Sequence, residues 1–140
     1  DDQYFAPGRP GEVVTLRDLD LRIGVIICYD LRFPETVRPW FKSGLDLLCV
    51  PARWPRVRDN LWQALLRARA IENQCFVIGV DSRDEEGGGT YAFSPLGEMV
   101  FSLGPDPEHG EMPWHRFELD PEEIARVRSR LDTRADARLL

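Results

Sequence analysis

One of three thiols stands where acyl chemistry is possible. In Ile23-Gly-Val-Ile-Ile-Cys-Tyr-Asp-Leu-Arg-Phe-Pro-Glu35, a run of apolar β-formers stops at Cys28 and gives way to charged residues and a proline. A thiolate at a strand end can attack a carbonyl carbon once a base has taken its proton, because an ordinary thiol, with a pKa of about 8.5, is only a few per cent ionised at neutral pH. Packing explains the same residue equally simply, since free cysteine is among the most buried residue types. At this level both readings stay open.

The elements that must position this cysteine are legible around it. Ile23, Val25, Ile26 and Ile27 predict a short strand covered on both faces, with Cys28 at its end. Pro34 and Glu35 open a helix to about Ser43, and Gly44 is placed to end it. Strand, sharp turn with cysteine, then helix is a nucleophile-elbow layout, in which backbone N–H groups near the turn can serve a developing oxyanion. Val13–Leu16 predicts a strand pairing with Leu21–Cys28 across an Arg17–Asp20 turn, and Leu45–Val50 the next buried strand. The end of that strand, Pro51 to Pro55, is where open α/β sheets place ligand-binding loops. Asp59 or Asn60 can cap a helix running to about Gln74, followed by a third buried strand at Cys75–Val80. A polar, glycine-rich loop covers 84–89, and Thr90–Phe93 with Met99–Leu103 predicts a hairpin around Pro95-Leu96-Gly97. Beyond an acidic loop at 104–113, Trp114–Leu119 reads as a last strand, Pro121 opens a helix to about Arg130, and Leu131–Leu140 reads as an extended arm. Alternating buried strands and helices give an α/β sandwich.

Length and charge narrow the function classes. A chain of 140 residues allows one domain, and the formal charge of −6, with basic residues scattered, argues against a nucleic-acid or anionic-membrane partner. No stretch approaches the roughly 18 apolar residues of a membrane helix, and the opening Asp-Asp-Gln-Tyr is unlike a signal peptide. Cys28, Cys49 and Cys75 lack paired spacing, which points to reduced thiols in a cytoplasmic protein. Without a CxxC or a His/Cys cluster no metal site is expected.

The Cys-Tyr-Asp-Leu-Arg-Phe-Pro-Glu core resembles the nucleophile motif of the nitrilase (carbon–nitrogen hydrolase) superfamily, in particular its Nit-like and omega-amidase-like amidases. Further matches follow in order: Tyr4 to Gly8 ahead of the nucleophile strand, Val50-Pro51-Ala52 with Trp54-Pro55, the helix stretch Arg67 to Asn73, and Ser94-Pro95-Leu96-Gly97. The resemblance covers nearly the whole chain. It implies a four-layer αββα sandwich built from two similar halves, of which residues 1–140 resemble the C-terminal one, with a mixed buried sheet and helices on one face. It also implies a Cys-Glu-Lys triad whose glutamate and lysine precede the cysteine by long stretches. Only 27 residues precede Cys28, so the expectation is a fragment of a protein roughly twice as long. Lys42, the sole lysine, follows the cysteine on a predicted surface helix, and Asp1 falls where the family has a second glutamate. Neither fills a triad place.

By the same resemblance Tyr29 offers its backbone N–H to the oxyanion, and Glu72 belongs to a motif that holds the long helix on the sheet. Arg32 and Arg53 can each clamp a substrate carboxylate or pair with Asp30, Glu35 or Glu72, and Trp54 can wall the pocket or pack beneath it. His109 and His115 lie in or beside the acidic loop and read as solvated surface residues rather than partners of the thiol. The expected activity is hydrolysis of a non-peptide C–N bond in a small linear amide, through a thioester on Cys28 that releases ammonia, with no metal or organic cofactor. The alternative is a catalytically silent half-domain serving as an assembly module. An uncovered apolar sheet face predicts a partner, either copies of the chain or a complementary N-terminal half.

Overall fold

Apolar runs at residues 21–27, 45–50 and 75–80 build the middle of a six-stranded sheet in a computed structural model that describes residues 11–82, 86–105 and 116–137. The order is β1 (Val14–Leu16), β2 (Leu21–Val25), β3 (Leu47–Ala52), β4 (Phe76–Asp81), β5 (Thr90–Phe93) and β6 (Met99–Leu103), each strand paired with the next. The central strands β2, β3 and β4 run parallel and the outer pairs antiparallel, which gives the mixed α/β sheet that the alternation predicts.

Register assigns the faces. Leu48, Val50, Val77 and Phe93 are fully buried with Trp62, Leu66 and Ala70 of α2 (Asp59–Asn73) and Trp40 of α1 (Arg38–Phe41). The alternate residues face the other way. There α3 (Pro121–Arg130) lays Ile124 on Leu47 and Phe76, beside Leu21, Ile23, Cys49 and Ile78. Helices on one face therefore holds for α1 and α2, while α3 takes the opposite face, where its single buried apolar residue meets the strand starts and Arg128 reaches Asp46. Past α3, towards the carboxyl ends of the parallel strands, that face leaves Val25 54% and Val80 50% exposed.

Several local expectations shift. The second strand stops at Val25 rather than Cys28, since Ile26 makes one further bond to the Cys49 carbonyl and the chain then turns. The Pro34–Ser43 helix divides into a 3-10 turn at Pro34–Thr36 and the short α1, because Pro39 has no N–H and sits only in a first turn. Gly44 ends it as expected, at φ 79°. Residues 116–119 form no strand, and Phe117 stacks on Phe101 at 4.7 Å instead. In place of an extended arm, Thr133–Asp136 makes a helical turn capped by the Asp132 carboxylate. Asp1, the Tyr4–Gly8 match, Trp114, His109 and His115 lie outside the described residues.

Candidate active site

The strand β2 delivers its chain to an elbow. Three described non-glycine residues have positive φ: Asp20, Gln74 and Cys28. Asp20 and Gln74 close helical turns, an ordinary use of the left-handed region. Cys28, at φ 46°, instead opens one, the 3-10 turn Cys28–Arg32, so its strain is not explained by capping. The turn is braced twice. Ile27 donates to the Asp30 carboxylate at 3.0 Å while Asp30 donates back to the Ile27 carbonyl at 3.0 Å. From α2, the buried guanidinium of Arg69 donates to the Leu31 carbonyl at 2.8 Å and pairs with Glu72 at 2.9 Å. Glu72 is thereby structural, as the sequence predicts.

Cys28 is half-buried, with Sγ 3.9 Å from the Arg53 carbonyl oxygen, its hydrogen-bond acceptor. The other two thiols are poor nucleophiles for a physical reason. Burial pushes Cys75 up to about 12, with Asp46 adding to the rise and Arg128 opposing it, and burial also raises Cys49.

Arg53, whose carbonyl accepts from Cys28, also lines a cleft of about 450 Å³ together with Pro55, Arg56, Val57 and Glu86. Two loops at the strand ends form it, one after β3 and one after β4. They are zipped by Arg56 N–H to the Glu86 carbonyl at 2.7 Å and Gly88 N–H to the Trp54 carbonyl at 2.9 Å. Across the gap Arg53 and Glu86 pair at 3.1 Å, with side chains 66% and 82% exposed.

The remaining sequence candidates divide. Arg53 lies on the cleft wall. Trp54 does not: it is 2% exposed, stacks on Trp62 with centroids 5.2 Å apart and donates its Nε1–H to the Arg58 carbonyl, so of its two readings packing is the one seen. Arg32 makes no ion pair among the described residues; its guanidinium lies over the rings of Trp54 and Tyr29, at 4.9 and 5.6 Å. Tyr29 follows Cys28 in the turn, its exposed ring edge-on to Phe33. Lys42 is exposed at the end of α1. Among the described residues no group of three His, Cys, Asp or Glu could hold a metal ion, and no helix is long and apolar enough to cross a membrane.

Glu86 and Asp81 were not singled out in the sequence, and Arg69 figured there only within the helix stretch Arg67 to Asn73. Asp59 resembled a helix cap, but it is the first residue of α2 and its carboxylate accepts from Gly89 N–H, Gln63 and the Tyr91 hydroxyl. Burial, then the bond to Asp59, raises the Tyr91 phenol well above its ordinary value. The signal available for this cluster was the run Gly87-Gly88-Gly89 beside acidic residues.

Comparison with known proteins bears on this geometry. The family described as carbon-nitrogen hydrolase matches residues 2–125. The chain is 38% identical over 118 residues to a 2-oxoglutaramate amidase of Bacillus subtilis, covering 81% of this chain and 44% of that protein. The solved structure of XC1258 from Xanthomonas campestris, a CN-hydrolase superfamily protein with an arsenic adduct in its active site, superposes with a TM-score of 0.79 at 27% identity, over 99% of this chain and 54% of that one. A mutant amidase from Nesterenkonia sp. AN1, which carries the acetamide moiety of fluoroacetamide covalently at the active site cysteine, superposes with a TM-score of 0.67 at 29% identity, over 76% of this chain and 42% of that one. The chain thus spans about half the length of the proteins it matches. A family match across most of its length, joined to a fold that sets a cysteine in the turn just past a central parallel strand, establishes that the chain belongs to the carbon-nitrogen hydrolase family.

Proposed function

We propose that the full-length protein containing this chain is a cytoplasmic amidase that hydrolyses a small linear, carboxylate-bearing amide, with Cys28 as nucleophile. The observation that carries the reading is the left-handed Cys28 at a braced elbow, its Sγ on the carbonyl of the cleft residue Arg53. The Cys28 thiolate attacks the amide carbon and the carbonyl π pair moves to oxygen, where the Tyr29 backbone N–H meets the developing charge. The tetrahedral intermediate collapses to a thioester, and the nitrogen leaves as ammonia with the proton that the base had taken from the thiol. Water, deprotonated by a base, then attacks the thioester; the acid departs and sulfur regains its proton.

Arg53, on the cleft wall, is the proposed clamp for the far carboxylate of the substrate, and Arg32 stiffens the elbow by lying across Tyr29 and Trp54. The base and the fixed cation are assigned to a complementary half-domain seated on the open sheet face beside Val25 and Val80. The amidase relatives and the cysteine adduct of the Nesterenkonia enzyme support this reading. In the full-length protein, Cys28→Ala lowers amidase turnover by at least about a thousandfold with an unchanged unfolding midpoint. Retained turnover in that variant refutes the proposal.

A further inference from the structure

The two cleft loops share an anchor that the chemistry above does not use. Asp81 ends β4 and is 5% exposed. Its Oδ1 accepts from the backbone N–H of Trp54 at 2.7 Å and of Ser82 at 2.8 Å, and its Oδ2 accepts from Gly88 N–H at 2.7 Å. One carboxylate therefore grips the loop that carries Arg53 and the loop that carries Glu86. Asp59 grips the second loop again, through Gly89 N–H at 2.8 Å. Gly88 passes between the two acids: a Cβ there would stand 2.8 Å from Asp81 Oδ2 and 2.9 Å from Asp59 Oδ1. Only glycine fits, which gives the central residue of the glycine run a physical cause.

We infer that Asp81, backed by Asp59, is a positioning residue that fixes where the Arg53 and Glu86 loops stand in the cleft, and so sets which acyl chain is held at Cys28. This role rests on the amidase reading above. The cross-loop bonds between backbone groups, Arg56 to Glu86 and Gly88 to Trp54, leave the zipped pair able to shift as a unit. Three backbone N–H bonds converging on one buried carboxylate at the end of a central strand stop that shift, because the strand itself is held in the sheet. A misplacement of about 1 Å is enough to disturb a bound substrate.

The experiment uses the full-length protein and two probe amides, succinamate and its methyl ester, so that the far carboxylate is present or masked. Asp81→Asn is nearly isosteric but turns an NH2 towards backbone donors, releasing one loop. It raises KM for succinamate about tenfold, changes kcat less than about threefold and leaves KM for the ester within about twofold. Gly88→Ala opens the same clamp from the other side, reproduces that pattern and carries the test if Asp81→Asn does not fold. Arg53→Gln run in parallel separates the two claims. If it shifts the succinamate-to-ester KM ratio and the clamp variants do not, the positioning role is overturned and the amidase reading stands. If the clamp variants shift the ratio and Arg53→Gln does not, the positioning role stands and the assignment of Arg53 fails. Equal losses on both probes in the clamp variants overturn the inference.

Discussion

Two buried aspartates mark the two ends of the parallel strands, and they hold different things. Asp46, just before β3, is gripped by two guanidiniums, Arg22 Nε at 3.1 Å and Arg128 at 3.0 Å, besides the Arg22 backbone N–H at 3.0 Å, with Arg128 also donating to the Leu45 carbonyl. Asp81, at the end of β4, is gripped by loop amides. The first arrangement joins β2, β3 and α3 into a closed seam, and the strongly desolvated Cys75 lies beside it. The second ties together two loops that line a cleft. A buried carboxylate thus closes structure when guanidiniums from packed elements grip it, and frames a site when amides of open loops do.

That contrast can be broken by mutation. The largest stability effect falls on the closed end. Asp46→Ala leaves the buried Arg128 without its counter-ion and costs about 3 kcal/mol, while kcat and the succinamate-to-ester KM ratio stay at wild-type values; chemical denaturation and steady-state kinetics on the same samples check both. A changed ratio in Asp46→Ala would erase the distinction between the ends.

A smaller effect sharpens the same contrast through pH. The Cys75 thiol is raised in the folded state by burial, so its neutral form stabilises the fold fully below its ordinary value near 9, and that contribution is lost as pH rises towards about 12. Stability measured by urea titration therefore declines across pH 9 to 12, and Cys75→Ala flattens the decline. In the native protein at about pH 8, iodoacetamide labels Cys28 ahead of Cys49 and leaves Cys75 unmodified, in keeping with full burial of the last.

Much of this was legible in the chain. The apolar run cut short by a cysteine and followed by Pro34 predicted the elbow, and the runs at 21–27, 45–50 and 75–80 predicted three buried strands, which the structure sets side by side at the centre of the sheet. Periodicity did not reveal that Cys28 sits three residues beyond the strand in a left-handed conformation, because a single dihedral leaves no compositional trace. The loop-holding role of Asp81 and Asp59 stayed hidden because it is exerted on backbone amides, those of Trp54 and Gly88 for Asp81 and that of Gly89 for Asp59, and an amide has no sequence signature. Trp54 followed the packing alternative because Trp62, eight residues on, turns inward from α2 to meet it.

Passage of the acyl group through Cys28 is the step on which everything else depends. Rapid acid quench of the full-length protein during amide turnover, followed by peptide mass spectrometry, tests it most directly. The predicted result is a hydroxylamine-labile adduct with the mass of the substrate less ammonia, on the peptide that contains Cys28. Turnover without that adduct, or with the acyl group on Cys49 or Cys75, contradicts it.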